Sequence, residues 1–501
     1  MFNIKNIIIT TFLLMFIGLS ALNAQDKLKD GINSVKRGDY LKAVEQLKSA
    51  VSGSEKDSYD ANLYYGIALQ KTGSLADAEK YLKAAINIDN ERAEAYSSLG
   101  EVYSEQKKYT EAESNFELAK KYLPLSKMSD DLEKEEKELI VEVLSNEAEN
   151  YIAQGKVDKA IASLTMAKSY DNNNPLIFVG LGDAYLARGA FDPAKTNYEQ
   201  ALKIKNFAAA HYGLGKIAFR QKKYNDALEQ HNKATEADPN FAEAYFEKGL
   251  IYYLSDKFDP ALDAFKKYSE LKPGSPRGNI YYAKTQFAKG NFDEALKLLD
   301  EVLKIDPKSS EANKYVAYIY VEKQDPDSNV VKKYRETADE FFNKVPETDL
   351  IPEDFAKRIK LENEKREYTK AGEYFNKAVK LDSAYADAYF EYGKALFNNK
   401  QYEDSRLLFK QAVDFGILNL GAYIYEGLTY YYLKDYVNAE LWFDKAIEQK
   451  SDFALSWLWK GNAQASGGKI PEAIESYKKV IEIDPNNQDA KDQIAKLGGN
   501  K

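Results

Sequence analysis

The two histidines, His211 and His231, are the first residues of this sequence whose type could support chemistry. A pair of imidazoles can bind a transition metal or transfer a proton. Each histidine, however, lies 34 positions before an aromatic residue of a similar segment, Tyr245 and Phe265 respectively. Because aromatic side chains occupy these positions, we predict that both histidines pack within the fold and that the chain has no metal site.

Composition excludes several other kinds of chemistry. The chain has no cysteine, which rules out disulfides, thiolate metal ligands and a cysteine nucleophile. The formal net charge of −9 argues against nucleic acid as a partner. Two glycine patterns, Gly180-Leu181-Gly182 and Gly213-Leu214-Gly215, resemble part of a dinucleotide-binding loop, but no predicted strand precedes either one. We therefore predict that the protein is not an enzyme and needs no cofactor.

A period of about 34 residues organises most of the chain. One column of small residues follows it: Ala43, Ala78, Ala112, Ala160, Ala194, Ala227, Ala261, Ala295, Ala338, Ala371, Ser405, Ala439 and Ala473. A second column lies twelve positions upstream: Gly31, Gly66, Gly100, Gly182, Gly215, Gly249, Gly393, Gly427 and Gly461. Repeats of this length are typical of helical hairpins that bury their apolar faces against one another.

The copy at residues 93–126 shows how such a hairpin is built. Its apolar and small residues are Tyr96, Leu99, Gly100 and Tyr103, then Ala112, Phe116 and Ala119. Spacings of three and four place each set on one face of a helix. Gly100 and Ala112 are small enough for the two helices to approach closely, with Phe116 beside the contact. Pro124 cannot continue the second helix and ends the unit.

This pattern resembles the tetratricopeptide repeat (TPR) over roughly residues 25–487. The resemblance implies an all-α fold, a right-handed superhelical solenoid of about 13 TPR-like helix-turn-helix repeats. It also implies that the first helix of each repeat lines a concave groove, where a protein or peptide partner binds.

Residues 1–24 differ from the repeats and are predicted to be a signal peptide. Lys5 precedes an apolar run from Ile7 to Leu19, and Leu22-Asn23-Ala24 ends in a small residue at the expected cleavage site, with Leu22 a weaker match than alanine. An uncleaved anchor is the alternative, although the run is short for a membrane span. No cysteine follows for lipidation. These features predict a periplasmic or secreted bacterial envelope protein with no stable membrane span after cleavage.

Two slips in the period divide the array. Charged residues interrupt it after Lys127, where good helix formers predict an extended first helix. A polar segment interrupts it again after Glu322, where Gln324 to Asn329 has the composition of a loop. The predicted segments are block one (25–126), a charged helical extension (127–140), block two (141–322), a loop insertion with a divergent helix (323–352), block three (353–487), and a capping helix and tail (488–501).

The resemblance assigns a partner-binding groove by register. Its predicted residues are Tyr212, Lys216, Phe219, Arg220, Phe246, Tyr253, Lys284, Phe287, Tyr318, Lys360, Phe390, Lys394, Phe397, Tyr431 and Trp459. The equivalent places nearer the N-terminus carry Glu101, Glu105, Glu149 and Asp183. Lysines among aromatic rings would favour an acidic partner segment. Packing between neighbouring first helices and ordinary solvated lysines are the alternative interpretation.

The sequence therefore predicts a non-catalytic scaffold or adaptor of the bacterial cell envelope that binds partner polypeptides in its concave groove. A periplasmic carrier or chaperone for exported proteins is one alternative. An activator subunit of a cell-wall or secretion enzyme is another. The oligomeric state is left open.

Overall fold

The computed structural model describes residues 25–53 and 55–498. The predicted signal peptide lies outside the described residues. Within them, every regular element is helical, and the predicted all-α solenoid is confirmed. Contacts divide the chain into two compact units, Met1–Glu301 and Val302–Lys501. The three blocks bounded by the slips in period remain a prediction.

Helices α1 to α16 form eight hairpins in chain order. They are α1 (25–36), α2 (Tyr40–Val51), α3 (Tyr59–Lys71), α4 (Leu75–Ile88), α5 (Ala93–Glu105), α6 (Tyr109–Lys121), α7 (Lys134–Ala153), α8 (Val157–Tyr170), α9 (Pro175–Ala187), α10 (Phe191–Ile204), α11 (Ala208–Arg220), α12 (Tyr224–Ala237), α13 (Ala242–Leu254), α14 (Phe258–Leu271), α15 (Pro276–Ala288) and α16 (Phe292–Ile305).

Helices α17 to α27 form five further hairpins and a final single helix. They are α17 (Ser310–Glu322), α18 (Ser328–Asn343), α19 (Pro352–Lys365), α20 (Tyr368–Leu381), α21 (Ala386–Asn398), α22 (Tyr402–Asp414), α23 (Leu420–Tyr432), α24 (Tyr436–Gln449), α25 (Ala454–Ser466), α26 (Ile470–Ile483) and α27 (Gln488–Lys496).

Close contact between a glycine and a ring holds most hairpins together. A Cβ on Gly100 would lie 2.8 Å from the ring of Phe116, and one on Gly249 would lie 2.6 Å from the ring of Phe265. Sixteen positions separate the partners in each case, and the same pairing recurs as Gly182–Tyr198, Gly215–His231, Gly393–Phe409, Gly427–Phe443 and Gly461–Tyr477. The predicted close approach is confirmed. The ring lies directly on the glycine, however, and not beside it.

The charged extension is only partly helical. Helix α7 has 20 residues and is longer than a standard first helix, but it begins at Lys134. The preceding residues form a single 3-10 turn at Ser129–Asp131. Buried Leu132 and a hydrogen bond of 2.7 Å from Ser129 Oγ to the Tyr170 carbonyl hold this segment against the neighbouring hairpin. Helical propensity alone therefore predicted that the helix begins too early, because tertiary contacts hold the first half of the segment in a non-helical conformation.

The second slip is a short loop before α18. Asp327 caps that helix by accepting a hydrogen bond from the Asn329 amide at 2.8 Å. Two residues of the predicted loop therefore belong to the helix. The buried Arg335 donates to the carbonyls of Tyr320 at 2.5 Å and Lys323 at 3.0 Å, which ties α18 to the end of α17 across the inserted residues.

Helix α27 covers the last hairpin. It begins at Gln488, 34 positions after α25 begins at Ala454. It therefore occupies the place of the first helix of a further repeat. Ala490 and Ile494 face inward against Tyr477 and Val480, while its other residues, apart from the exposed Ala495, are polar. This arrangement is that of a solenoid cap.

Candidate binding surfaces

The first helices of the Met1–Glu301 unit surround a large cavity. Its volume is about 1690 Å³, and its lining comes from α3, α5, α7, α9, α11 and α13 together with the α1–α2 turn and the start of α15. Side chains that share the inner face of successive first helices line it, since each hairpin presents that face in the same register. We call this space the central cavity.

Contacts between residues far apart in sequence close the ring of hairpins around the central cavity. The Gly274 amide donates to the Thr72 carbonyl at 3.0 Å. The Asn240 side chain donates to the Gly38 carbonyl at 3.4 Å. A Cβ on Gly274 would lie 2.7 Å from the backbone of Gly73, so the two chain segments touch directly. We call these contacts the clasp. The repeat pattern carries no signal for it.

Several cations of the central cavity are already paired with carboxylates of the chain. Lys71 lies 2.8 Å from Glu101, Lys216 lies 2.7 Å from Asp183, and Lys272 lies 2.5 Å from Glu243. The first two pairs join neighbouring first helices, and the third joins the residue after α14 to α13. Each pair leaves little uncompensated charge.

Two carboxylates of the central cavity differ. Glu142 and Glu149 both line it, and among the described residues neither lies at ion-pair distance from a lysine or arginine. Both side chains are exposed to the water of the cavity, while many protein atoms of the surrounding hairpins lie near each carboxyl group. This enclosure, reinforced by the negative charge of Glu101, raises the pKa of each to about 7. Glu142 is not among the residues predicted from the sequence, although its spacing of seven from Glu149 places both on one face of α7.

Both histidines pack as predicted. His231 is fully buried on Gly215, at the position that Phe265 holds in the next repeat. Burial lowers its pKa to about 4. His211 is half-buried, and its ring nitrogens lie 3.0 Å from Gln230 Oε1 and 3.0 Å from Asn206 Oδ1. No group of three or more potential metal ligands is arranged to hold an ion within the described residues.

One column of predicted groove aromatics lies at the hairpin corners. Each member contacts the aromatic residue that opens its own second helix, five positions later. The pairs, with their ring-centroid distances, are Phe219–Tyr224 at 5.6 Å, Tyr253–Phe258 at 6.1 Å, Phe287–Phe292 at 5.8 Å, Phe397–Tyr402 at 5.4 Å and Tyr431–Tyr436 at 5.7 Å. Such edge-on and tilted contacts stabilise the corner. These rings therefore have a packing role, and only their outer edges are open to a partner.

In the Val302–Lys501 unit the aromatic column becomes continuous. Phe397, Tyr432 and Trp459 project from α21, α23 and α25, with ring centroids 5.6 Å apart for the first pair and 6.5 Å for the second. Tyr431 contacts Trp459 at 5.3 Å, and Phe390 contacts Tyr425 at 6.0 Å. Tyr432 is 44% exposed. We call Phe390, Phe397, Tyr425, Tyr431, Tyr432 and Trp459 the aromatic ladder.

The structure changes the interpretation of several other predicted groove residues. Phe246 and Tyr318 are 1% and 2% exposed, so they belong to the core and not to an open surface. Arg220 donates to the Leu186 carbonyl at 2.7 Å at the end of α9. The guanidinium therefore compensates the carbonyl end of a helix.

The lysines predicted for the Val302–Lys501 unit are also engaged within it. Lys360 lies 2.6 Å from Glu322, and Lys394 lies 2.8 Å from Glu391. Lys394 also lies over the ring of Phe390, 5.3 Å from its centroid. The assignment of both lysines to a partner-binding groove stays a prediction, and the sequence register held no information on the acidic partner of each lysine.

Profiles described as tetratricopeptide repeat or TPR repeat match most of the array. They cover residues 29–91, 92–120, 177–207, 215–256, 252–319, 360–419 and 454–487. The chain belongs to the tetratricopeptide repeat family. The matches reach at least part of eleven of the thirteen described hairpins and leave out α7–α8 and α23–α24.

Two curated relatives are similar to part of this TPR array. RNA polymerase II-associated protein 3 of Xenopus tropicalis is 24% identical over 177 residues, 35% of this chain and 26% of the relative. Its Xenopus laevis counterpart is 26% identical over 120 residues, 24% of this chain and 18% of the relative. The chain thus spans about a quarter or less of the curated relatives that it matches.

Solved structures also resemble it. The APC/C hetero-tetramer Cut9–Hcn1 is 12% identical, with 96% of each chain covered and a TM-score of 0.44. YrrB, described as a TPR protein with an unusual peptide-binding site, is 25% identical over 34% of this chain and 88% of its own, with a TM-score of 0.26. No helix among the described residues has both the length and the hydrophobicity needed to cross a membrane.

Proposed function

We propose that this TPR protein is a non-catalytic interaction scaffold that holds partner polypeptides on the concave faces of its hairpins. The aromatic ladder is the observation that carries the proposal. Its rings follow successive first helices at contact distances, and Tyr432, which stacks on Tyr402, remains 44% exposed. Rigid aromatic side chains supply contact area at low entropic cost and are typical anchors of protein interfaces.

The partner is not restricted to acidic segments. The expectation of an acidic partner depended on predicted groove lysines, and Lys216, Lys360 and Lys394 each lie beside a carboxylate of this chain, at 2.7, 2.6 and 2.8 Å respectively. Such pairs have little remaining charge with which to attract an acidic segment. Apolar contact with the ladder is then the main source of affinity.

The cell envelope is the proposed location. Support comes from residues 1–24, where one lysine, an apolar run and small residues follow the order of a secretory signal. Mass spectrometry of the protein from fractionated cells tests this directly. A mature chain that begins at Gln25 in the envelope fraction is expected, and a cytosolic chain that retains Met1 would contradict it.

Site-specific photo-crosslinking tests the scaffold role. A photoreactive phenylalanine at position 432 places the reactive group on the aromatic ladder, and one at position 475 places it on the exposed side of α26, where the Glu475 side chain is 72% exposed. The expected result is one defined polypeptide adduct from position 432 and none from position 475. Equal or absent adducts at both positions would contradict the proposal.

A further inference from the structure

We propose that the central cavity of the Met1–Glu301 unit binds an extended cationic polypeptide segment, whose lysine or arginine side chains pair with Glu142 and Glu149. This inference rests on the proposed scaffold function and names the chemistry of one of its partners. It reverses the sign of charge that the sequence alone suggested for the partner.

The size of the cavity favours a polypeptide over a small molecule. Its volume of about 1690 Å³ exceeds the range of roughly 300–1,000 Å³ that is typical of small-ligand pockets. The clasp closes the ring around it, since the Gly274 amide bonds to the Thr72 carbonyl at 3.0 Å. A segment in extended conformation is narrow enough to lie within such a ring. A folded domain is not.

The balance of charge selects a cationic segment. Lys71, Lys216 and Lys272 are each compensated by a carboxylate, at 2.8, 2.7 and 2.5 Å respectively. Glu142 and Glu149 have no such partner among the described residues. Lys42, Lys107, Lys205 and Arg220 line other parts of the cavity, but the wall formed by α5, α7 and α9 contributes Glu101, Glu105, Glu142, Glu149 and Asp183 and no lysine or arginine. The charge of this wall is therefore negative, and a cation brought to it is favoured.

A buried amide beside the same wall is incompletely bonded. Gln70 is 1% exposed, and its Nε2 donates to Glu101 at 2.9 Å and to Glu105 at 2.9 Å. Its Oε1 has no hydrogen-bond donor among the described residues. The Gln70 amide lies behind the wall and holds Glu101 and Glu105 in place by these two hydrogen bonds. The wall thus presents carboxylate acceptors to the cavity, and an ammonium or guanidinium group supplies donors to them.

The spacing of the two glutamates suits a polyproline II segment. Seven positions on α7 correspond to two helical turns, or about 10.5 Å. A polyproline II strand repeats its face every three residues with a rise of about 3.1 Å each, which places residues i and i+3 about 9.3 Å apart. Cationic side chains at every third position would therefore meet Glu142 and Glu149 together.

Binding of a cation should release protons. Enclosure raises the pKa of both glutamates to about 7; Glu94, Glu101, Glu138 and Asp183 add to this, and Lys71 and Lys216 oppose it. At pH 7 each group is thus about half protonated, and a cation that favours the carboxylate displaces up to about one proton in total. Adhesion of the same cation to exposed carboxylates, which are already ionised at pH 7, releases none.

Isothermal titration calorimetry of the purified full chain tests the inference. The probe is an acetylated, amidated peptide of four Lys-Pro-Pro triplets, and its counterpart has Glu in place of each Lys. Titrations at pH 7 in phosphate and in Tris, which differ in ionisation enthalpy, measure the protons released. The test variant is Glu142→Gln/Glu149→Gln. The matched control is Glu111→Gln/Glu199→Gln, which removes two exposed charges from second helices.

We expect the lysine peptide to bind the native chain at least tenfold more tightly than the glutamate peptide, with proton release. The test variant should lose at least tenfold in affinity and release no protons, while the control should match the native chain. Equal binding to the test variant, or preference for the glutamate peptide, would overturn the cationic assignment and leave the scaffold function standing. Failure of the crosslinking at position 432 would instead count against the scaffold function itself.

Discussion

The imidazole of His231 lies against Gly215, where a Cβ would come within 2.7 Å of its Nδ1. The ring is fully buried, and neither of its nitrogens has a hydrogen-bond partner among the described residues. Phe265 and Phe443 occupy the same position in other hairpins. His231 is thus a polar ring in a place built for an apolar one.

Replacement of His231 with Phe should therefore stabilise the Met1–Glu301 unit by about 1–3 kcal/mol, the usual cost of an unsatisfied buried polar group. Burial lowers the pKa of His231 to about 4, while the unfolded chain takes up this proton below about 6.5. The native chain should therefore lose stability as the pH falls from 6.5 to 4, because the unfolded chain gains a proton on His231 that the folded chain does not take up. Urea unfolding of both chains should show a gap that widens over this interval. A gap that does not change with pH would contradict the assignment.

Gly249→Ala should destabilise its hairpin by about 1–3 kcal/mol, since the new Cβ would lie 2.6 Å from the ring of Phe265. Solenoids unfold by parts, so hydrogen exchange of α13 and α14 is the suitable measurement. The double variant Gly249→Ala/Phe265→Leu should cost less than the sum of the two single variants, because the smaller side chain relieves the overlap. Strict additivity would mean that the two residues do not press on each other.

The clasp can be tested with two glycines of the same backbone conformation. Gly73 and Gly189 both have positive φ, and other hairpins place Lys107 or Lys222 in this conformation at the same corner. Asn is therefore acceptable to the backbone at both sites. At Gly73 a Cβ would lie 2.8 Å from the Ser275 nitrogen, whereas nothing lies within 4 Å at Gly189.

Gly73→Asn should thus open the clasp, and Gly189→Asn should not. Exchange of the Gly274 amide, which donates to the Thr72 carbonyl, reports this directly. We expect that amide to lose at least tenfold in protection in Gly73→Asn alone. Retained protection would show that the clasp tolerates a side chain.

Asp354 links α17 to α19 through buried polar groups. It accepts hydrogen bonds from the Tyr318 hydroxyl at 2.5 Å and from Lys314 Nζ at 3.3 Å, and it is fully buried. Asp354→Ala should destabilise the contact of these helices by about 1–3 kcal/mol, because it removes the acceptor of the Tyr318 hydroxyl and leaves the buried Lys314 charge, among the described residues, with only the Asp349 carbonyl at 3.4 Å and Glu311 at 3.6 Å. Lys314→Met/Asp354→Leu should recover most of the loss. Chemical unfolding of the three chains measures this, and a double variant as unstable as Asp354→Ala would contradict it.

Glu149 should give the Met1–Glu301 unit a pH dependence opposite to that of His231. Enclosure raises the pKa of this carboxyl to about 7, above its ordinary value of 4.5, so the folded chain holds the proton more tightly than the unfolded chain. Stability from this group is therefore present below pH 4.5 and is lost as the pH rises through 7. Glu149→Gln should raise the melting temperature at pH 8 and leave it unchanged near pH 4. An unchanged melting temperature at pH 8 would show that the carboxylate is well solvated.

The spacing of residues in the sequence predicted the contacts within each hairpin, but it did not predict which charged side chains pair with one another. Gly249, Ala261 and Phe265 lie within one repeat, so their spacing on two helices already implies that they meet. Lys216, by contrast, pairs with Asp183, which lies 33 positions earlier on the neighbouring first helix. Register placed Lys216 on the concave face but did not show that its charge was compensated, because side-chain rotamers and the angle between neighbours decide that pairing.

What the sequence determined by itself is the TPR hairpin and its repetition, since small residues, rings and turn residues act within about 34 positions and fold the chain locally. Only the tertiary structure decided that Thr72 meets Gly274 and that Glu142 and Glu149 face the central cavity with no lysine or arginine at ion-pair distance among the described residues. These features depend on a small rotation between hairpins, added over several repeats. The residues of one repeat do not determine the total rotation, so the closure of the ring is seen only in the structure of all its hairpins together.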